Sequence, residues 1–171
     1  MTPADEPDSA RQLHKLHGRA DADSARLAAH HAARLECKRG CSACCCDDLT
    51  VFQVEAERIQ AEFPDVLGTT PHPVGACAFL DDEGACRVYA ARPYVCRTQG
   101  LPLLHFHENE REEIVEERSI CELNLEGEPL DDIDMDDCWM IGPVELQLQQ
   151  LQQAATGDQT RVALRDLFRK S

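Results

Sequence analysis

The sequence predicts a small single domain of the α+β class, built from short helices and one or two β-hairpins. Three observations predict it. Apolar residues recur at helical spacing near both ends, short β-like runs bounded by turn residues fill the middle, and ten cysteines crowd a chain with few aromatics. At 171 residues the chain can bury a core, yet it holds five Phe, two Tyr and one Trp against 29% charged residues. Packing alone therefore gives that core little, and any ligand the cysteines gather adds folding free energy.

Residues 1–10 are polar, carry two prolines and show no periodicity, so they are expected to form a disordered tail. Residues 11–36 are rich in Ala, Leu and Arg, with Leu27, His31 and Leu35 four apart, which predicts a helix that Gly18 can interrupt. Leu49 to Phe52 reads as a short strand. Val54, Arg58 with Ile59, and Phe63 then mark a helix closed by Pro64. The prolines and glycines of residues 64–76 predict a loop.

CAFLDDEGACRVY reads as a hairpin turning through Asp81 to Gly84. With Leu80 opposite Ala85, Cys77 and Cys86 become diagonal neighbours on one face, about 7–8 Å apart. Leu103 to His107 and Ile114 to Cys121 predict a second hairpin. Pro143 opens a helix that Gly157 stops, and Leu148 with Leu151 make its Gln-rich run amphipathic rather than low-complexity. A last helix, capped by Asp158 or Thr160, is expected to carry Val162, Leu164, Leu167 and Phe168.

The cysteines carry the chemistry. Cys37, Cys41, Cys44, Cys45 and Cys46 fall within ten residues, and Cys77, Cys86, Cys96, Cys121 and Cys138 follow singly. Three adjacent thiols do not pair with one another in an unstrained disulfide, whereas a soft metal ion or an iron-sulfur cluster gathers thiolates from close positions. Structural zinc sites use two CxxC-like knuckles on separate turns. One dense knot plus single distant cysteines is nearer to cluster ligation, so an iron-sulfur cluster is preferred over zinc.

Cys37-x3-Cys41-x2-Cys44-Cys45, then Cys77-Ala-Phe-Leu, then Cys86-Arg-Val-Tyr-x2-Arg92-Pro93-x2-Cys96-Arg97, resembles the YkgJ-type cysteine-cluster family, the CxxCxxCC zinc- or iron-chelating domains. The resemblance spans roughly residues 37–125, and CELN from Cys121 is similar to a late Cys-x2-Asn element in many members. The first gap here is three residues where the family often has two, which departs from the pattern at Cys37. The resemblance implies metal ligation by Cys37, Cys41, Cys44, Cys45, Cys77, Cys86, Cys96 and Cys121. It places Cys46 and Cys138 outside the pattern, and Cys138, beside Trp139, is expected to pack in the core. Within the motif Arg92 and Arg97 flank Cys96, where either their charge stabilises thiolates from outside the ligand set or they are surface arginines paired with nearby acids. A flagellin lysine methylase is similar in its cysteine pattern, so the resemblance leaves enzyme chemistry open. The nine glycines never occur as GxG, which removes the Rossmann fingerprint and the Walker A loop.

The expected organisation is thus a tail (1–10), an N-terminal helix (11–36), a cysteine-cluster core (37–125), and an acidic segment with C-terminal helices (126–171). Net charge is −15, and Glu108 to Asp137 alone holds fourteen acidic residues against Arg111 and Arg118. So acidic a chain repels phosphate backbones, which argues against nucleic acid. The acidic run reads first as a solubilising surface and otherwise as a docking face for a protein partner. No stretch is apolar enough to span a membrane, and the N-terminal twenty residues offer no secretory pattern, so a cytoplasmic protein with reduced thiols is expected. His105 with His107, and His30 with His31, read as ordinary surface or core histidines. Two functions stand side by side: an iron-sulfur protein that carries electrons or supports a modification reaction, and a zinc-stapled module that binds a protein partner.

Overall fold

The computed structural model describes residues 7–169. In chain order the elements are α1 (Asp8–His30), β1 (Thr50–Phe52), α2 (Gln53–Glu62), α3 (Pro64–Leu67), α4 (Tyr94–Arg97), β2 (Leu103–Glu108), β3 (Ile114–Ser119), β4 (Trp139–Met140), α5 (Pro143–Thr156) and β5 (Arg161–Ala163). Short 3-10 turns fill several connections, among them Glu122–Asn124 and Leu164–Phe168. The small α+β domain resolves into two compact units, one around Lys38–Pro93 and one around Tyr94–Gln147. No described helix is long and apolar enough to cross a membrane.

The first unit adds to Lys38–Pro93 residues 7–16 and 148–169. β1 pairs antiparallel with β5, Val51 opposite Val162, and Val51, Ala56, Ile59, Phe79, Val88, Ala91, Leu164 and Leu167 form its apolar core. The last segment is a strand followed by a 3-10 turn, not the expected helix. β1 offers an open edge that residues 161–163 complete, and Leu164 continues the pairing by donating its N–H to Leu49 O at 3.1 Å. A 3-10 turn still aligns positions i and i+3, so Leu164 and Leu167 both face the core.

Gln152 settles the Gln-rich run. Its side chain is 0% exposed, and its amide oxygen accepts the Val54 N–H at 3.2 Å, occupying a donor that the first turn of α2 leaves unpaired. Glu55 supplies a further partner there, its carboxylate accepting the Phe52 N–H at 3.4 Å.

The second unit joins His17–Cys37 to Tyr94–Gln147. β2 and β3 form the expected hairpin, with His105 opposite Glu117, and β4 adds a parallel edge at Leu103 and Leu104. Leu104, Ile133 and Cys138 pack together, and the Trp139 indole N–H donates to the Tyr94 hydroxyl at 2.7 Å. α1 runs unbroken through Gly18, starts at Asp8 inside the expected tail, and stops at His30 rather than residue 36. Residues 1–6 of that tail lie outside the described residues. Past His30 the chain continues in turns, Arg34 N–H reaching His31 O at 2.9 Å, while the Arg34 side chain donates to Asn124 O at 3.3 Å and Glu128 O at 3.0 Å.

Candidate metal centre

None of the ten cysteines is joined in a disulfide. Cys41, Cys44, Cys45, Cys46, Cys77 and Cys86 belong to the first unit, and Cys37, Cys96, Cys121 and Cys138 to the second.

In the first unit two successive turns build the knot. Cys41 N–H donates to Lys38 O and Cys45 N–H to Ser42 O, both at 2.9 Å, with Gly40 in the left-handed region at φ 86°. The 77–86 segment turns where expected, through Asp81 to Gly84, but its register pairs Leu80 with Cys86 rather than with Ala85. That register takes Ala85 into the turn, where the Asp81 carboxylate holds it by accepting the N–H groups of Glu83 at 3.0 Å and Ala85 at 2.7 Å. A single bridge stands there in place of a ladder.

Two contacts hold the knot against this turn. At one end Cys77 N–H donates to Cys45 O at 3.0 Å. At the other the two glycine turns abut, and a Cβ on Gly84, whose φ is +76°, would sit 3.0 Å from Gly40 O. Beyond the knot, Arg165 pairs with Asp47, which also accepts the Gly75 N–H at 3.0 Å. Arg165 donates in addition to His72 O at 2.8 Å and Ala76 O at 2.9 Å, so it fixes the chain on either side of the cysteine loops.

Cys77 and Cys86 lie against the apolar core, and burial pushes both thiols above their ordinary value. Each sulfur also accepts a backbone N–H from two residues on, Phe79 for Cys77 and Val88 for Cys86, which favours its thiolate. The charges of Arg92 and Arg87 act on Cys86 in the same direction. Arg92 itself stacks on the Tyr89 ring, 4.2 Å from its centroid. Cys44 behaves oppositely. A hydrogen bond from the Cys45 side chain, aided by a backbone N–H, outweighs burial and lowers it to about 6.

The second unit sets its cysteines through one polar side chain. Asn124, 0% exposed, accepts the Glu36 N–H through Oδ1 at 2.8 Å and donates through Nδ2 to Gly100 O at 2.8 Å and to Cys37 Sγ at 3.5 Å. Its own N–H reaches Cys121 O at 2.8 Å. One side chain therefore ties the ends of three segments, the one before Cys37, the one after Cys96, and the turn that Cys121 opens. Gly100 has φ +92°, and a Cβ there would collide with Cys37 Sγ. The Asn of the Cys-x2-Asn element is visible in the sequence, but its role as this hub is not.

Arg97, with its side chain almost wholly buried, is bound to Asp21 at 2.5 Å. Cys138 is buried against Leu104 and Ile133, as its place beside Trp139 suggests. Among the described residues, the set of metal-ligand atoms lying within 4.8 Å of one another is His105, His107 and Glu117 rather than a trio of sulfurs.

These features define a small α+β domain that carries a cysteine cluster on tight turns. The family described as "CxxCxxCC: Putative zinc- or iron-chelating domain" matches residues 36–122, and the chain belongs to that family. No curated protein matches the chain, and no solved structure does.

Proposed function

We propose that the protein holds iron-sulfur in thiolate ligation, with Cys41, Cys44, Cys45, Cys77 and Cys86 as the candidate ligands in the first unit and Cys37, Cys96 and Cys121 as those in the second. The observation that carries this reading lies in the first unit. Two backbone contacts fix the knot loop to the 77–86 turn, and Cys77 and Cys86 each present a free sulfur already hydrogen-bonded by a main-chain N–H. Such N–H groups stabilise ligated thiolate and tune a cluster's potential. The donors fit a soft metal group, since all are sulfur and none must first be released from a disulfide.

The preference for a cluster over zinc rests on spacing. The knot places Cys44, Cys45 and Cys46 side by side, and the other thiols arrive one at a time, whereas a single tetrahedral zinc is served by two paired knuckles. When bound, a cluster of this kind supplies one-electron transfer. The chain's own residues hold it: Asn124 orients the segments bearing Cys37 and Cys121, Arg165 with Asp47 braces the knot, and Arg92 adds positive charge near Cys86. Arg97, in the family motif, acts through the fold by anchoring α4 to Asp21. Reduced thiols of this number suit the cytoplasm.

Anaerobic purification followed by iron, acid-labile sulfide and zinc analysis tests the proposal. Iron and sulfide in equal amounts, with visible absorption that bleaches on reduction, is the expected result. Colourless protein with stoichiometric zinc and no sulfide overturns it in favour of a zinc module, whose acidic segment would then be examined for a protein partner.

A further inference from the structure

The β2–β3 hairpin carries a ligand set that the cysteine centre does not use. His105 and His107 are two apart on one strand and so share a face, and Glu117 stands directly opposite His105 in the antiparallel register. Their ligand atoms all lie within 4.8 Å of one another. The two imidazole rings stack with centroids 5.2 Å apart and planes at 21°.

The state of His107 is the informative one. Its Nδ1 is buried and makes no hydrogen bond. It faces Glu117 Oε2 at 3.5 Å, too long for the hydrogen bond this pair would otherwise form. Two ligand atoms held at about 2.0–2.1 Å by a tetrahedral zinc ion are about 3.3 Å apart. This one pair is thus already spaced as two ligands of a single ion would be, and the remaining ligand atoms lie within 4.8 Å.

We propose that His105, His107 and Glu117 bind one divalent ion of the zinc class, independently of whatever the cysteines hold. Two imidazoles with one carboxylate suit zinc, nickel or copper, and they disfavour the hard ions calcium and magnesium, which take oxygen ligands. Three ligands leave a fourth position for water or a partner's donor. β4 covers the edge of β2 only at Leu103 and Leu104, so the histidines lie on the outer, two-stranded part of the hairpin. Glu108, Glu110, Glu112, Glu113 and Glu116 on the same hairpin raise the local cation concentration without belonging to the set.

The test uses full-length protein held anaerobically with its thiolate centre loaded, and Co2+ as the probe ion. One further Co2+ per chain is expected, with ligand-field absorption but without the charge-transfer band that sulfur ligation produces. His105→Ala and His107→Ala should each weaken that binding about tenfold or more, with Glu117→Gln close behind. Glu110→Gln, which removes one charge from the same hairpin but no ligand, should leave it unchanged. Zn2+ added to the wild-type protein should shift the ring resonances of His105 and His107 in carbon-proton spectra, a readout that does not depend on any variant folding. Ring resonances that Zn2+ leaves in place overturn the proposal. So does Co2+ binding that is absent, equally tight in all variants, or accompanied by the sulfur band.

Discussion

The two units place their cysteines by opposite means. In the first, backbone meets backbone: Cys77 N–H on Cys45 O, and the Gly40 turn against the Gly84 turn, all resting on an apolar core that Cys77 and Cys86 themselves join. In the second, one buried amide does the placing, and the apolar cluster is small, Leu104 with Ile133 and Cys138. Main-chain contacts over a packed core survive most single substitutions. A polar hub concentrates the same task in a side chain whose loss strands several buried groups at once. Metal-free protein should accordingly keep the first unit's core and lose order first around Asn124.

Asn124→Ala is the strongest way to break this contrast. It leaves the Glu36 N–H and the Gly100 carbonyl without partners, at about 1–3 kcal/mol each, so a loss of roughly 3–5 kcal/mol is expected. Hydrogen exchange should show the loss among amides of residues 17–37 and 94–147. Equal loss in residues 38–93 would mean that the units unfold as one body and that the contrast has no energetic content.

A pair of glycine changes sharpens it. Gly100→Ala must adopt a positive φ and also displace the Cys37 sulfur, and we expect it to cost about 3 kcal/mol. Gly84→Ala meets the Gly40 carbonyl at 3.0 Å from a similar φ, and should cost about 1–2 kcal/mol because the turn can give slightly. Urea unfolding of both variants gives the order, and a reversed order would show the glycine turns to be the tighter joint.

Reactivity separates the thiols further. In metal-free, reduced protein Cys44 is lowered to about 6, so it is mostly thiolate at neutral pH and should be alkylated well before Cys77 and Cys86, which burial raises. Cys45→Ala removes the hydrogen bond that lowers the Cys44 thiol most and should slow its alkylation. Mass spectrometry across pH reads this directly, and a Cys44 rate that climbs only near the ordinary thiol value of about 8.5 would refute it.

The smallest effect concerns acid. Asp47 lies below its ordinary value through the Gly75 N–H first and Arg165 second. A carboxylate depressed in the folded state contributes stability in full above its unfolded value of about 3.9, and that contribution is lost as pH falls through the folded value. Acid unfolding of the first unit should therefore steepen below about pH 4, and Asp47→Asn should flatten that part of the curve. A variant curve that follows the wild type would remove Asp47 from the brace.

Much of the architecture was legible. The second hairpin, the short strand at Leu49 to Phe52, the helix opened by Pro143 and the turn at Asp81 to Gly84 all follow from periodicity and turn chemistry, which act over a few residues. The last segment was not, since Val162, Leu164, Leu167 and Phe168 fit a helix and a strand with a 3-10 turn equally well by spacing. An edge offered by β1, more than a hundred residues earlier, chose between them. The histidine trio is not legible for the same reason, because Glu117 joins His105 and His107 only through cross-strand register.

By itself the sequence determined the α+β class, the family, and the soft-donor chemistry, because thiol identity and spacing are local properties that folding does not alter. Only the tertiary structure decided which donors face which acceptors. It paired Leu80 with Cys86, gave Cys77 and Cys86 their main-chain N–H partners, made Asn124 a hub and made Gln152 a cap. Each of these depends on a buried polar group finding its one partner across the chain, and in a packed interior an unmet donor or acceptor costs too much for the choice to be left to local preference.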